Sequence, residues 1–320
     1  MELKNWFLEN GRLLSFREDR TAYRVWVSEV MLQQTQASVV VPYFERWMEA
    51  FPTVEALASA PIEAVLKLWE GLGYYSRARN LHLGAKQIVA LGGFPKDLES
   101  IRGIGPYTAG AIRSFAFKEK AAAVDGNVLR VMARFLGEEG EIDKPSIRQK
   151  LTRAVEEFLP QEEPWIVMEA LIELGALICQ KKPKCTLCPL KNNCQAFCHG
   201  LDLPNRSKRQ KTIYLERTVA VIEAEGHLLL QKGKKGQVMA DLYEFPYLEG
   251  RCSWQEFGSH LTLVKPLAIQ KHSFTKYRVT LYPYFLKASV RWGEGWKKRE
   301  EVGKLPFSSG HKRVYEDFTQ

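Results

Sequence analysis

Cys179, Cys185, Cys188 and Cys194 fall in one run, CQKKPKCTLCPLKNNC, so four of the six cysteines lie within sixteen residues. A run this dense constrains the fold, because the loop must close around whatever the thiolates hold. Four clustered thiolates mark a metal or iron–sulfur site. Structural zinc takes the same number of cysteines, and the spacing weights the choice toward iron–sulfur. A disulfide pair is the competing use, and it belongs to oxidising compartments. The sequence carries no secretory pattern and no transmembrane-length apolar run. A cytoplasmic location is expected, nucleoid-associated if the source is bacterial, with reduced thiols and no membrane partner.

The charge points to a polyanion. The 320 residues carry a formal net charge of +9. Such an excess suits nucleic acid, although a plainly basic soluble protein also has it. Placement sharpens the reading. Lys181, Lys182, Lys184 and Lys191 surround the cysteines with no acid among them, and Arg206, Lys208, Arg209 and Lys211 follow. That arrangement suits a metal-organised loop held against phosphates.

The length suits two domains. Apolar residues recur at helical spacing over 23–50, 54–69, 78–91, 106–117, 127–136, 147–159 and 164–179. Residues 200–213, GLDLPNRSKRQKTI, form a polar linker. Beyond it, Thr218 to Glu223, His227 to Gln231 and Val279 to Leu286 alternate as strands do. The reading is a helical domain over 1–199, a linker over 200–213, and a smaller domain of strands with two helices over 214–320.

Within the helical part, Ser100-Ile101-Arg102-Gly103-Ile104-Gly105-Pro106-Tyr107 reads as a helix–hairpin–helix. Gly103 and Gly105 permit a tight hairpin with open N–H groups, and Pro106 suits a first helical turn. Such an end binds a phosphate without base preference, although an ordinary glycine turn has the same pattern. Asp125, in Val-Asp-Gly-Asn-Val, is a good N-cap for the helix after it, or a carboxylate beside the hairpin. Glu29 has Val25, Trp26, Leu32 and Gln33 as its helical-face neighbours. Burial there would raise its pKa and suit a proton donor, unless it reaches water at the edge of the apolar stripe.

Five segments in order carry a resemblance: Glu29-Val30-Met31-Leu32-Gln33-Gln34-Thr35-Gln36, Trp69-Glu70-Gly71-Leu72-Gly73-Tyr74-Tyr75-Ser76-Arg77, the hairpin, Val-Asp-Gly-Asn-Val and the four cysteines. Together they resemble the adenine DNA glycosylases of the MutY type in the endonuclease III superfamily. The resemblance implies an α+β, multidomain fold: an all-α helix–hairpin–helix glycosylase core with an iron–sulfur loop, then a C-terminal α/β Nudix-like domain. It implies a monomer that excises adenine mispaired with 8-oxoguanine or guanine in double-stranded DNA. Glu29 matches the general acid and Asp125 the carboxylate that stabilises the oxocarbenium-like sugar, a pairing that glycosidases also use. Asn127 and Tyr107 match residues beside that sugar. Arg17 and Glu173 match the adenine pocket. Gln34, Thr35, Leu72 and Tyr74 match the region that probes and wedges the duplex, which a flipped base requires. Cys179, Cys185, Cys188 and Cys194 match the ligands of a 4Fe–4S cluster.

Position 107 separates two reaction types. Bifunctional relatives hold a Schiff-base lysine there, and the phenol of Tyr107 cannot form an imine. In the second domain, Gly236 to Pro246 resembles the Nudix-like element that reads 8-oxoguanine, without a catalytic Nudix box after it. His272-Ser273-Phe274-Thr275-Lys276 resembles the hairpin that contacts the oxidised base, with Thr275 the base contact and Lys276 in place of a histidine. Two other departures stand out. The first cysteine gap is five residues where the family has six, which brings Cys198 into view as a substitute ligand, and Phe16 replaces a pocket tryptophan. Cys252 matches no family role. The rival readings are a bifunctional endonuclease III-like glycosylase and AP lyase, and a non-catalytic mismatch-binding protein.

Overall fold

In the computed structural model, the residues described are 2–207, 211–234, 239–274 and 276–320. The first part of the chain is helical: α1 (Glu2–Asn10), α2 (Ala22–Leu32), α3 (Ala37–Ala50), α4 (Val54–Ser59), α5 (Ile62–Leu68), α6 (Ser76–Ala90), α7 (Pro106–Ala111), α8 (Gly126–Leu136), α9 (Pro145–Phe158), α10 (Pro164–Leu177) and α11 (Gln195–His199). Local chemistry sets their ends. The Thr21 hydroxyl accepts from the Arg24 N–H to start α2. Proline opens α7, α9 and α10, where its missing N–H costs nothing. Gly137 closes α8 with φ 69°.

Two expected helices are broken. The stretch 23–50 divides at 33–36, where Gln34 takes φ 58° and the Thr35 N–H bonds the Leu32 carbonyl. The stretch 54–69 divides at Ala60-Pro61, since a proline disfavours helical backbone at the residue before it. Apolar spacing runs through both breaks, so periodicity alone did not show them. The N-terminal α1 and the short α11 had no strong periodic signal.

The second part holds β1 (Ile213–Ala224), β2 (His227–Leu229), β3 (Gln231–Lys232), β4 (Tyr243–Glu244), β5 (Tyr247–Glu249), β6 (Leu261–Pro266), β7 (Gln270–Phe274), β8 (Tyr277–Ala288), β9 (Trp296–Lys298), α12 (Arg299–Val302) and α13 (Ser309–Thr319). The main sheet runs β6-β8-β1-β2-β9, with β5 also on β1 and β7 also on β8. Its centre is the parallel pair β1–β8, in register from Ile213 opposite Tyr277 to Glu223 opposite Lys287. Alternation along β1 sends Val219 and Val221 into a core with Phe245, Leu281, Phe307 and Val314. Ala220 and Ile222 face the other side with Leu261 and Leu286.

By contact the chain divides into two units, residues 1–58 with 83–209, and residues 59–82 with 210–320. The sequence reading drew a linear boundary after 199, whereas residues 59–82 group with the second unit. Charge-assisted and backbone bonds hold them there. Glu70 accepts from the Phe307 N–H at 2.9 Å and from the Lys312 ammonium. Lys67 donates to the carbonyls of Gly303 and Leu305, and the Tyr75 hydroxyl to that of Phe307. Among the described residues no helix is long and apolar enough to cross a membrane.

Candidate active site

Three helix ends of the first unit meet at one cleft of about 1110 Å³, whose lining includes Glu29, Gln34, Thr35, Tyr107, Asp125 and Asn127. Glu29 lies in the last turn of α2 and is 8% exposed. Tyr107 is in the first turn of α7 and donates its hydroxyl to the Glu29 carboxylate at 2.5 Å. Burial pushes the Glu29 carboxyl up to about 7; the Tyr107 hydrogen bond opposes the shift, and the charges of Asp125 and Glu169 add to it. Burial and the charge of Glu29 hold the Tyr107 phenol well above its usual range, so it remains a donor.

Asp125 combines the two roles that its sequence context offered. It caps α8, its Oδ1 accepting from the N–H groups of Asn127 and Val128 at 2.9 and 2.8 Å. Its Oδ2 accepts from the Asn127 amide at 2.8 Å while the residue lines the cleft. Burial raises the Asp125 pKa, and these hydrogen bonds oppose the rise. Gly175 of α10 makes the spot possible, because a Cβ there would come 2.7 Å from the Asn127 Cβ.

Behind Glu29 lies a second carboxylate system. Glu173 is fully buried and takes a bidentate pair from Arg12, at 2.6 and 3.0 Å, and a bond from Arg17 at 2.7 Å. Burial would raise its pKa, but the two arginines overturn that and hold it below the usual carboxylate range. Glu169, one turn earlier on α10, pairs with Arg17 at 2.8 Å and Arg20 at 2.7 Å. Glu169, with Phe16, Arg17, Ser28 and Glu29, lines a small cavity of about 30 Å³ beside the acid. The sequence reading singled out Arg17 and Glu173 and passed over Glu169, Arg12 and Arg20. Glu169 carried the signal already used for Glu29, a carboxylate within an apolar helical run.

The four cysteines line a separate cavity of about 270 Å³. Among the described residues no three potential ligands converge on a single-ion position. Four thiols lining one cavity are a donor set that suits a metal or iron–sulfur site. Cys198 lies outside that lining and is directed at the carbonyls of Lys191 and Asn192. The Arg134 guanidinium donates to the Cys179 Sγ at 3.3 Å and to the Gln180 carbonyl at 2.6 Å. Arg130 joins loop and cleft, donating to the Cys179 carbonyl at 2.7 Å, the Asn127 Oδ1 at 2.9 Å and the Gly175 carbonyl at 2.8 Å. Sequence reading missed both arginines, although Arg130 follows Asn127 at i+3 spacing.

Other expected residues lie where each unit places them. Gly103 has φ 85° in the turn before α7, and Gly105 is its N-cap in extended backbone. In the second unit, Leu72 is buried, while Tyr74 takes φ 47° and is 43% exposed, with the Arg77 guanidinium over its ring. The Lys276 carbonyl accepts from the Ile213 N–H, and its side chain is exposed. Thr275 lies outside the described residues, as do residues 236–238 of the Gly236 to Pro246 stretch.

Residues 27–157 match the HhH-GPD superfamily of base excision DNA repair proteins, and residues 217–317 match the NUDIX domain. In fold, the chain is similar to a thermostable thymine-DNA glycosylase, with TM-score 0.56 and 24% identity over 62% of this chain and 94% of that one. It is 34% identical to an adenine DNA glycosylase of Buchnera aphidicola subsp. Baizongia pistaciae, covering 87% of this chain and 82% of the relative. It is 41% identical to that of Homo sapiens, over 98% of this chain and 72% of the relative. The helical core and cleft therefore define a base-excision DNA repair glycosylase with an appended Nudix-like domain. Within that class, the chain belongs to the adenine DNA glycosylases.

Proposed function

We propose that the enzyme removes adenine paired with 8-oxoguanine or guanine in duplex DNA, as a monofunctional hydrolase. The observation that carries this reading is the Tyr107–Glu29 hydrogen bond in a cleft that also holds Asp125. With its pKa raised to about 7, a large share of Glu29 carries a proton at neutral pH, to be given to a ring nitrogen of the extruded adenine. Protonation turns the base into a neutral leaving group. Asp125 faces the sugar as positive charge develops, held in place by three donors. The cap position at a helix N-terminus favours its ionised form, so the two carboxyls divide into acid and anion. Water completes the reaction.

Supporting roles follow the resemblance. Arg17 and Glu173 shape the base pocket, and the geometry adds Glu169 to them. Gln34, Thr35, Leu72 and Tyr74 act on the duplex, and the open N–H groups near Gly103 and Gly105 take a phosphate. Thr275 and Lys276 read the oxidised base and its backbone. Cys179, Cys185, Cys188 and Cys194 hold a 4Fe–4S cluster, which when bound cross-links the loop next to the Arg130 contacts. Tyr107 is the test of reaction type. Duplex treated with the enzyme should break only after alkali or heat, and borohydride should not trap the protein on DNA. Rapid nicking with efficient trapping would favour the lyase reading.

A further inference from the structure

Four arginines line the cleft of Glu29 and Asp125: Arg12, Arg130, Arg148 and Arg206. Two are occupied inside the protein. Arg12 is paired with Glu173, and Arg130 bonds Asn127 and the carbonyls of Gly175 and Cys179. The other two are free to meet solvent. Arg148, on α9, is exposed, and among the described residues its guanidinium has no hydrogen bond or ion pair. Among the described residues Arg206 reaches only Asp143, at 3.5 Å, in an exposed pair of the kind that contributes little.

Arg206 sits on a built element. The segment 201–207 read from sequence as the start of a polar linker, but it is strapped along residues 139–143. The Ile142 N–H donates to the Asn205 carbonyl at 3.0 Å, and the Asn205 amide to the Glu139 carbonyl at 2.7 Å. The Ser207 N–H and hydroxyl bond Asp143 and Glu141, and Arg134 donates to the Leu203 carbonyl at 2.6 Å. The strap thus carries a guanidinium to the cleft that Glu29 and Asp125 also line. The Asp125 charge repels a phosphodiester chain, and cations in the same lining offset the repulsion.

We propose that Arg148 and Arg206 clamp the phosphodiesters of the adenine-bearing strand that flank the extruded nucleotide. The inference rests on the cleft being the excision site, as proposed above. It makes residues 201–207 part of the DNA-binding surface, and it assigns the clamp a backbone contact with no base preference.

The test is the salt dependence of binding by the full-length protein to a duplex carrying a tetrahydrofuran abasic site opposite 8-oxoguanine. Each phosphate contact contributes about 0.9 to the slope of log Kd against log salt. Arg148→Ala and Arg206→Ala should each lower that slope by about 0.9, and the double variant by about twice as much. Arg148→Lys and Arg206→Lys should keep it. Arg153→Ala, on the same helix but outside the cleft lining, should leave it unchanged. Asp143→Asn separates clamp from anchor. If Arg206 only anchors the strap, Asp143→Asn will reproduce the loss seen in Arg206→Ala, and the clamp is overturned. Alanine variants with the wild-type slope overturn it too. Wild-type protein that neither binds this duplex above undamaged DNA nor excises adenine overturns the functional reading, and the clamp with it.

Discussion

Glu29 and Asp125 face one cleft, but their backbones treat them oppositely. Glu29 is in the final turn of α2, where outward carbonyls disfavour negative charge, and Asp125 is at the start of α8, where open N–H groups favour it. The general acid must be protonated to act, so single-turnover excision should be flat below pH 7 and fall about tenfold per unit well above it. The same shift has a stability cost. A carboxyl raised from its ordinary value of 4.5 to about 7 binds its proton more tightly when folded. Stability should therefore fall as pH rises from 4.5 to 7, on the order of 3 kcal/mol from this group. Glu29→Gln should abolish excision and remove that part of the pH dependence in urea melts at pH 5 and pH 8. A variant that is active, or that keeps the full pH dependence, contradicts the assignment. The apolar neighbours of Glu29 left both a buried acid and a solvent-reaching edge residue open in the sequence, and the structure buries it. Arg12 and Arg20 were not legible in sequence, since their carboxylate partners lie 161 and 149 residues away.

Elements position these residues through a few close approaches. Gly175 lets α10 lie against the start of α8, with only 2.7 Å between a would-be Cβ and Asn127. Gly175→Ala should displace Asn127 or α10, destabilise by about 1–3 kcal/mol, and slow excision. Thermal melts and single-turnover rates check it, and a fully active variant of unchanged stability would refute the packing argument. The cysteine loop is the second such element. Anaerobically purified protein should be brown and hold about four iron atoms per chain, as a 4Fe–4S cluster requires. Stoichiometric zinc with negligible iron would overturn the cluster. The loop was legible from spacing alone, whereas its tie through Arg130 to Asn127 needed three elements to meet. Likewise, the strands of β1 and β8 were plain from alternation, but the break at 33–36 was hidden by apolar spacing that continues through it.

At the scale of the whole chain, the order of motifs made the class legible: acid, hairpin, cap and cysteine loop in one sequence, then an alternating domain. Grouping by contact was not legible. Residues 59–82 read as part of the helical run, and their bonds reach residues 303–312, more than 230 positions away. Removing 214–320 would therefore also strip partners from Lys67, Glu70 and Tyr75, so full-length protein is the right material for tests of function. The most direct of these is a single-turnover assay on duplexes with adenine opposite 8-oxoguanine, guanine, cytosine or thymine, run with wild-type and Glu29→Gln protein. Wild type should excise adenine opposite 8-oxoguanine first and guanine second, with strand breaks only after alkali, and Glu29→Gln should excise none. Equal excision opposite all four bases, or normal rates in Glu29→Gln, would contradict the proposed function.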